Sequence, residues 1–302
     1  IAYHHRVISA TPTRRRVFRL QTLVSADVSI VVGALVLPPL HHPGWPNPLP
    51  INAPRFLIMK VAFFTDGVDT PAASLRVEQL LPRFRSKGIT CTQEYAYGAA
   101  YNRIAQSRYA VPYKIACRTK RAVLQMGTTR SDLVFVQRPA FPQTPIPEQI
   151  GRMCGQRLVL DFDDALHLAP DGGPSAIRSY TFHRAVAAAT HIIAGNDHLA
   201  DVANAKAKTT TIPTVIDTDL YRPSPPRNGE RVVIGWMGTS TNFANLVPAL
   251  PSLATLLHTY PHVDFRIVSN ATLREALALP RTEQVPWSRE TELALLQSFD
   301  VG

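Results

Sequence analysis

Three aspartates stand close together at the end of an apolar run, in the sequence LVLDFDDALH at positions 158–167. The negative charges of Asp161, Asp163 and Asp164 repel one another unless a nearby group or a ligand uses them. Aspartates spaced in this way can hold a divalent metal, supply a nucleophile, or order a turn by accepting backbone N–H bonds. His167 follows them and could act as a general acid or base, although a solvated loop histidine is the more frequent case.

Polar and charged residues also stand at the ends of two other predicted strands. Asp66 and Gly67 follow the run KVAFFT, Arg76 lies in the first turn of the next helix, and Arg138 ends the run DLVFVQR. Ligand sites of open parallel sheets gather at the carboxyl ends of the strands, so these residues are candidates for contact with a polar ligand. Arg76 could equally be a surface helix arginine, and Arg138 could pair structurally with one of the aspartates.

The loop GWMGTSTN, at positions 235–242, is a further candidate because it joins a predicted strand to a predicted helix. Gly235 and Gly238 allow tight turns and close approach of a ligand, while Thr239 and Ser240 offer hydroxyl and N–H groups. A helix N-terminus with such donors can bind a diphosphate. The loop lacks the Gly-x-Gly-x-x-Gly pattern and a P-loop lysine, so an ordinary strand–helix turn explains it equally well.

Apolar runs alternate with helical periodicity from Met59 onward, which predicts a mostly parallel, doubly wound α/β sheet of the Rossmann type. The predicted strands cover 60–65, 89–95, 132–138, 157–163, 191–195 and 209–213. The predicted helices cover 74–88, 109–126, 146–155 and 175–189, with a short one capped by Asn196.

A second alternation follows a stretch rich in proline and charge. Its strands are predicted at 231–238, 263–269 and 283–287, and its helices at 242–259 and 289–298. We therefore expect two Rossmann-like domains, at 59–216 and 231–302, joined by a linker at 217–230. Because the chain ends on FDVG, where a further strand begins, we expect the second domain to be incomplete.

Residues 1–58 differ in composition from the rest of the chain. They hold 8 of the 26 prolines, six arginines and one acidic residue, Asp27. Their apolar run at 28–40 is too short to span a bilayer. A secretory signal is one interpretation. We favour a poorly ordered basic extension upstream of Met59, because MKVAFFTDG resembles a natural protein start.

The remaining residues are only mildly basic, with 26 basic and 21 acidic side chains. They show no basic stripe with interleaved aromatics, which argues against a nucleic-acid partner but fits an anionic substrate or an anionic membrane surface. Three dispersed cysteines, Cys91, Cys117 and Cys154, form no Cys-x-x-Cys pair. They indicate a reducing, cytoplasmic setting and argue against a disulfide framework and a structural zinc site.

Six ordered blocks of sequence resemble those of the GT-B glycosyltransferases, specifically glycosyltransferase family 4. The blocks are ASLRVEQLLP, LVFVQR, LVLDFDDAL, IIAGNDHLAD, IPTVIDTDLYRP and IGWMGTSTNFANL, and the resemblance covers 59–302. It implies a two-lobed enzyme that binds its acceptor on the first lobe and a nucleotide-sugar on the second. Transfer would retain the anomeric configuration and need neither a metal nor a cofactor.

The resemblance also implies roles for particular residues. Asp163 and Asp164 would be the catalytic carboxylates and accept hydrogen bonds from sugar hydroxyls. The acceptor would be a saccharide, a lipid-linked sugar or a small molecule, in cell-envelope polysaccharide or glycolipid synthesis at or near the inner membrane face. Residues on the acceptor side would be Asp66, Gly67, Arg76 and Arg138. Residues facing the donor diphosphate would be Gly235, Gly238, Thr239 and Ser240.

The family's donor lobe continues with a basic residue and two glutamates eight apart, which this sequence does not include. Since compensation of phosphate charge dominates such catalysis, we expect the chain as given to be a nearly inactive fragment. Two alternatives remain at this point. One is a magnesium-dependent phosphatase that uses Asp161 and Asp163. In such enzymes the aspartate pair lies on the leading strand and a hydroxyl residue follows it, whereas here the pair lies on a later strand and Ala165 follows Asp164. The other is a non-catalytic fragment that binds a sugar or a partner.

Overall fold

The computed structural model describes residues 59–302 except 69, 99, 105–106, 129 and 226–228. The expectations for residues 1–58 lie outside the described residues. The described chain divides into two compact units, the first ending at Thr214 and the second beginning at Val215.

The first unit is built on a six-stranded parallel sheet with the order β2-β1-β3-β4-β5-β6. This sheet, together with a second parallel sheet in the other unit, confirms the predicted α/β fold class. The strands are β1 (Lys60–Gly67), β2 (Thr90–Tyr97), β3 (Leu133–Gln137), β4 (Leu158–Phe162), β5 (His191–Ala194) and β6 (Thr209–Thr211).

Helices cover both faces of this sheet, because its strands are apolar on both faces. Alternate residues of one strand, such as Phe63 and Phe64, enter two separate cores. The helices are α1 (Pro71–Arg76), α2 (Leu81–Ser86), α3 (Tyr101–Ile104), α4 (Ala110–Gly127), α5 (Ile146–Met153), α6 (Ala176–Ala188) and α7 (Asp197–Ala203).

Side-chain caps fix where several of these helices begin. Asn196 accepts a hydrogen bond from the Leu199 N–H at 2.9 Å, which confirms it as the cap of α7. The prediction of one continuous helix over 74–88 is wrong, because the chain leaves helical geometry at Val77. Pro82 has no N–H to donate to a carbonyl one turn earlier, so a 3-10 turn separates α1 from α2.

The second unit contains a three-stranded parallel sheet with the order β7-β8-β9. Val301 adds a parallel bridge to Ile234 at the free edge of β7, where the sequence predicted the start of a strand. The strands are β7 (Val232–Met237), β8 (Val263–Ser269) and β9 (Thr282–Pro286). The helices are α8 (Phe243–Leu246), α9 (Leu250–Thr259) and α10 (Glu292–Gln297).

The single helix predicted over 242–259 is also wrong. A 3-10 turn at Val247–Ala249 separates α8 from α9, and a further 3-10 turn at Ser240–Asn242 precedes α8. Pro248 and Pro251 cannot donate backbone hydrogen bonds and so interrupt the helix. Among the described residues, no helix combines the length and the apolar character that crossing a bilayer requires.

Candidate active site

Three neighbouring strands of the first sheet end side by side and bring charged residues together. β3 lies between β1 and β4, and all three run in the same direction. Asp66 is near the end of β1, Arg138 directly follows β3, and Asp163 and Asp164 directly follow β4. The structure thus brings these four candidates together in one cluster, and their contact with a ligand stays a prediction.

The guanidinium of Arg138 is the centre of this cluster. Its Nη1 lies 3.5 Å from Asp66 Oδ2, its Nη2 lies 3.6 Å from Asp163 Oδ1, and Nη2 also pairs with Asp164 Oδ2. Burial alone would lower the pKa of Arg138, but the three carboxylates raise it above its ordinary value. The structural pairing considered from the sequence is confirmed, and it compensates the repulsion among the aspartates.

The backbone of Arg138 is left-handed, with φ of 64°. For a residue with a side chain this conformation costs about 1–2 kcal/mol, so the surroundings must hold it in place. Its N–H donates to the Asp161 carbonyl at 2.9 Å, and its own carbonyl accepts from Arg121 Nη2 at 2.9 Å. Backbone held in a rare conformation at a strand end is typical of functional sites.

Several buried polar atoms of this edge make no hydrogen bond with any other described residue. They are Arg138 Nε, Asp163 Oδ1 and His167 Nδ1. Burial, together with the charges of nearby histidines, lowers the pKa of His167, so its neutral form is favoured near neutral pH. Buried polar atoms are usually satisfied, and a ligand carrying several hydroxyls could donate to the aspartate and accept from the arginine.

Arg76 and Asp161 form a separate ion pair below this cluster, inside the unit. Arg76 Nε lies 3.2 and 2.9 Å from the two Asp161 oxygens, Nη2 lies 2.5 Å from Oδ1, and the side chains are 4% and 2% exposed. Arg76 Nη1 donates to the Ile212 carbonyl and to Thr214 Oγ1, each at 3.2 Å. The alternative of Arg76 as a surface arginine is therefore wrong, and a contact of Arg76 with an acceptor stays a prediction.

Burial raises the pKa of Asp161, while the hydrogen bonds and charge of Arg76 oppose that rise. Burial alone would lower the pKa of Arg76, but Asp161 raises it above its ordinary value. Both oxygens of Asp161 are thus used inside the core, which leaves the phosphatase alternative without an accessible nucleophile. Asp161 is therefore a structural residue at the strand end.

The loop after β1 is attached to β3 by Gln137, a fully buried residue that the sequence argument did not select. Its Oε1 accepts from the Asp66 N–H at 3.2 Å, and its Nε2 donates to the Ala72 carbonyl at 2.8 Å. The available signal was a polar residue ending the otherwise apolar strand LVFVQ. Gly67, in the same loop, would meet Thr70 Cγ2 at 3.1 Å if it carried a Cβ, so a small residue fits there.

Gly195, directly after β5, lets the Asp163 backbone come close. A Cβ at this position would lie 2.9 Å from Asp163 Cα and 3.1 Å from its Cβ. Since real Cβ atoms do not approach so closely, a side chain at Gly195 would displace the catalytic candidate. The sequence argument placed a strand at 191–195 and a helix cap at Asn196 but did not identify this requirement.

The predicted donor loop lies in the second unit, where its glycines accommodate aromatic rings. A Cβ on Gly235 would overlap the Phe299 ring at 2.1–2.3 Å, and one on Gly238 would lie 2.7 Å from the Trp236 ring. Trp236 packs against the core of this unit. The roles of Gly235 and Gly238 toward a diphosphate stay predictions.

The two hydroxyl residues of that loop already have protein contacts. Thr239 Oγ1 lies 2.7 Å from Thr241 Oγ1, and the Ser240 N–H donates to Asn270 Oδ1 at 2.8 Å. The Ser240 N–H is therefore engaged, while both hydroxyls remain at an exposed turn. Their contact with a donor also stays a prediction.

Within the described ranges, no group of three or more histidine, cysteine, aspartate or glutamate side chains is arranged to hold a metal ion. The three aspartates at the sheet edge face a guanidinium instead. Their arrangement therefore suits hydrogen bonding to a neutral or hydroxylated ligand better than coordination of a cation.

No protein-family model and no curated protein matches this sequence. Among solved structures, the chain is similar to the lipopolysaccharide outer core galactosyltransferase WaaB in its apo form, with 14% identity, 80% of this chain and 71% of that chain covered, and a TM-score of 0.44. It is similar to a protein described as a UDP-N-acetylglucosamine 2-epimerase from Listeria monocytogenes, with 9% identity, coverage of 76% and 69%, and a TM-score of 0.49.

The chain is also similar to the spinosyn rhamnosyltransferase SpnG complexed with thymidine diphosphate. The identity is 14%, the coverage is 80% of this chain and 74% of that chain, and the TM-score is 0.43. Identities and TM-scores this low leave the function to be argued from the residues of the site.

Proposed function

We propose that this chain is part of a glycosyltransferase that moves a sugar from a nucleotide-sugar donor to a hydroxylated acceptor. The observation that carries the proposal is the Arg138-centred cluster, where a buried oxygen of Asp163 and a buried nitrogen of Arg138 make no hydrogen bond to described residues. A sugar hydroxyl can donate to a carboxylate oxygen and accept from an arginine nitrogen. The six blocks of resemblance to GT-B glycosyltransferases support the same function.

The cluster can position an acceptor without a metal. Asp163 and Asp164 can accept hydrogen bonds from hydroxyls, and Arg138, held by Asp66, orients both carboxylates. During transfer the bond between the sugar's anomeric carbon and the donor phosphate breaks, and a bond to the acceptor oxygen forms. The fixed carboxylates hold the attacking hydroxyl in one orientation, and this orientation is the main way in which such a site accelerates the transfer.

Finer features of the proposal follow from the family resemblance. They are retention of the anomeric configuration, independence of metals and cofactors, and donor contact through the loop containing Gly235, Gly238, Thr239 and Ser240. The resemblance also supports a cytoplasmic role in cell-envelope polysaccharide or glycolipid synthesis. The acceptor would be a saccharide, a lipid-linked sugar or a small molecule.

Release of nucleoside diphosphate from a panel of UDP-, TDP- and GDP-sugars tests the proposal. With acceptor present, we expect only slow release from at least one donor in EDTA, since the chain as given is expected to be nearly inactive, and Asp163→Asn should lower this release to background. Asp201→Asn, at an exposed carboxylate of α7, is the matched control and should leave the rate unchanged. Equal rates in both variants would contradict the assignment of the site. Donor binding without any turnover would indicate a non-catalytic sugar-binding protein.

A further inference from the structure

A buried arginine of α4 contacts the backbone of the Arg138-centred cluster. The Arg121 residue is only 4% exposed. Its Nη2 lies 3.2, 2.9 and 2.9 Å from the carbonyl oxygens of Phe64, Gln137 and Arg138. The paired register of β1 and β3 ends at Phe64 and Val136. Arg121 therefore ties the two strands together where their own pairing stops, and it does so partly through the backbone of Arg138.

A buried glutamate of α5 holds the next part of the same segment. Glu148 is fully buried, and its Oε1 accepts a hydrogen bond from the Ala140 N–H at 2.9 Å. Gln125 Nε2, on α4, donates to the same oxygen at 3.3 Å. The segment from Arg138 to Ala140 is thus fixed at its first carbonyl by α4 and at its last N–H by α5.

These contacts act against the backbone preferences of the segment itself. Arg138 has a left-handed φ of 64°, which a residue with a side chain rarely adopts. It also precedes Pro139, and a residue before proline prefers extended backbone. Without the two buried side chains, we expect the segment to relax toward an extended conformation. That change would carry the Arg138 guanidinium away from the carboxylates of the cluster.

The ion pairs of the cluster contribute little to holding Arg138 in this conformation. Water reaches all four side chains of the cluster, and that of Asp164 is 61% exposed. Ion pairs accessible to water are weak, because water competes for both charges. The backbone contacts made by Arg121 and Glu148 therefore decide where the Arg138 guanidinium lies.

The two buried charges are a poor arrangement for stability alone. Burial lowers the pKa of Arg121 to about 10 and raises the pKa of Glu148, because both charged forms lose contact with water. Arg121 Nε and Glu148 Oε2 make no hydrogen bond with any described residue. A buried ion pair kept only for stability would satisfy these atoms, and apolar residues of similar volume would often serve as well. The backbone groups that the two side chains hold give a better reason for their presence.

We propose that Arg121 and Glu148 are positioning residues of the candidate active site. They hold the carbonyl of Arg138 and the N–H of Ala140, and in this way they place the Arg138 guanidinium against the carboxylates of the cluster. Their effect on sugar binding rests on the proposed function, whereas their effect on the Arg138 side chain does not. A role limited to packing α4 against α5 is an outcome that the experiment distinguishes.

Heteronuclear NMR of the arginine Nε–H groups in the full chain tests the proposal. Arg138 Nε is buried, so its proton should exchange slowly with water, and its signal is identified by its loss in Arg138→Lys. Arg121→Met with Glu148→Leu should speed this exchange at least about tenfold, because the segment opens locally. The Nε–H of Arg76, which is buried against Asp161, should keep its exchange rate and shows that the unit is folded.

Conservative and matched variants separate positioning from packing. Glu148→Gln keeps an acceptor for the Ala140 N–H and should retain slow exchange, whereas Glu148→Leu should lose it. Arg152→Met removes a different arginine–carbonyl contact of α5 and should change nothing. If the double variant does not fold, the comparison of Glu148→Leu with Glu148→Gln carries the test alone.

Three results would overturn the proposal. The first is fast exchange of the Arg138 Nε proton in the unaltered chain, and the second is slow exchange in every variant. The third is a parallel change of the Arg76 and Arg138 exchange rates in folded variants, which would show that the buried pair serves only packing.

Methyl glycosides of glucose, galactose and N-acetylglucosamine test the part that rests on the proposed function. At least one of them should shift the Arg138 Nε–H signal of the unaltered chain. The shift should be lost in the double variant and kept in Glu148→Gln. Absence of a shift in the unaltered chain would count against the proposed function, while the exchange rates still decide the positioning roles.

Discussion

Replacing Arg76 by methionine removes the cation that compensates Asp161 inside the first unit. The Asp161 side chain is 2% exposed, and Arg76 nitrogens lie within hydrogen-bond distance of both of its oxygens. A buried carboxylate that loses the cation paired with it destabilises a protein by about 3–5 kcal/mol. That is a large share of the roughly 5–15 kcal/mol by which domains are stable. We therefore expect Arg76→Met to lower the free energy of unfolding by this amount.

The double variant Arg76→Met with Asp161→Leu is the matched comparison. It removes both charges and fills the same space with apolar atoms, so it should regain most of the lost stability. Urea unfolding followed by circular dichroism measures the loss. Tryptophan fluorescence in a Trp45→Phe background serves as an internal control, because the other two tryptophans, Trp236 and Trp287, lie in the second unit and their transition should not move.

The pH dependence of the single variant has a definite sign. Without Arg76 only the weaker charge of Arg138 opposes the burial that raises the pKa of Asp161, so the folded pKa of Asp161 rises further above the unfolded value of about 3.9. A raised folded pKa stabilises the protein at low pH, and this contribution is lost as pH rises through the folded pKa. The difference in the free energy of unfolding between Arg76→Met and the unaltered protein should therefore shrink as the pH falls toward 4. A loss below about 1 kcal/mol at neutral pH, typical of an exposed pair, would refute the account of this ion pair.

Three further variants test neighbouring features. Gly195→Ala should destabilise the first unit by about 1–3 kcal/mol, since the new Cβ would displace the Asp163 backbone, and thermal melting measures this. His191→Gln should flatten the acid side of the stability profile below about pH 6.5, the unfolded pKa of histidine. Burial, with the charge of Lys208, lowers the pKa of His191, so its contribution is present above the unfolded pKa and is lost as pH falls through the folded one. Arg138→Gly should change the free energy of unfolding by less than about 1 kcal/mol. Glycine relieves the strain of the left-handed backbone, and this gain offsets the loss of the partly exposed ion pairs. The same variant should abolish acceptor binding measured by calorimetry.

Much of the fold follows from local sequence. Buried strands such as LVFVQ and LVLDF are continuous apolar runs, and each is found close to its predicted place. The two long helices fail for a local reason as well, because Pro82 and Pro248 interrupt an otherwise good helical period. The strand-end rule then brought Asp66, Arg138 and the two aspartates after β4 together, without knowledge of the strand order.

The remaining parts of the site depend on contacts between distant segments. Arg76 and Asp161 are 85 residues apart, and only the packing of α1 against the sheet reveals that they pair. The need for glycine at 195 follows from the register of β4 and β5, and the space at Gly235 follows from the placement of Phe299. None of these pairings has a signal in the spacing of residues along the chain.

Calorimetric titration with a panel of UDP-, TDP- and GDP-sugars in EDTA tests the central claim most directly. The account predicts saturable binding of at least one nucleotide-sugar without added metal. Ser240→Glu should abolish this binding, because it places a negative charge at the predicted diphosphate contact. Ser252→Glu, at an exposed serine of α9, should leave it unchanged. Absence of binding by every nucleotide-sugar, or equal binding by both variants, would contradict the account.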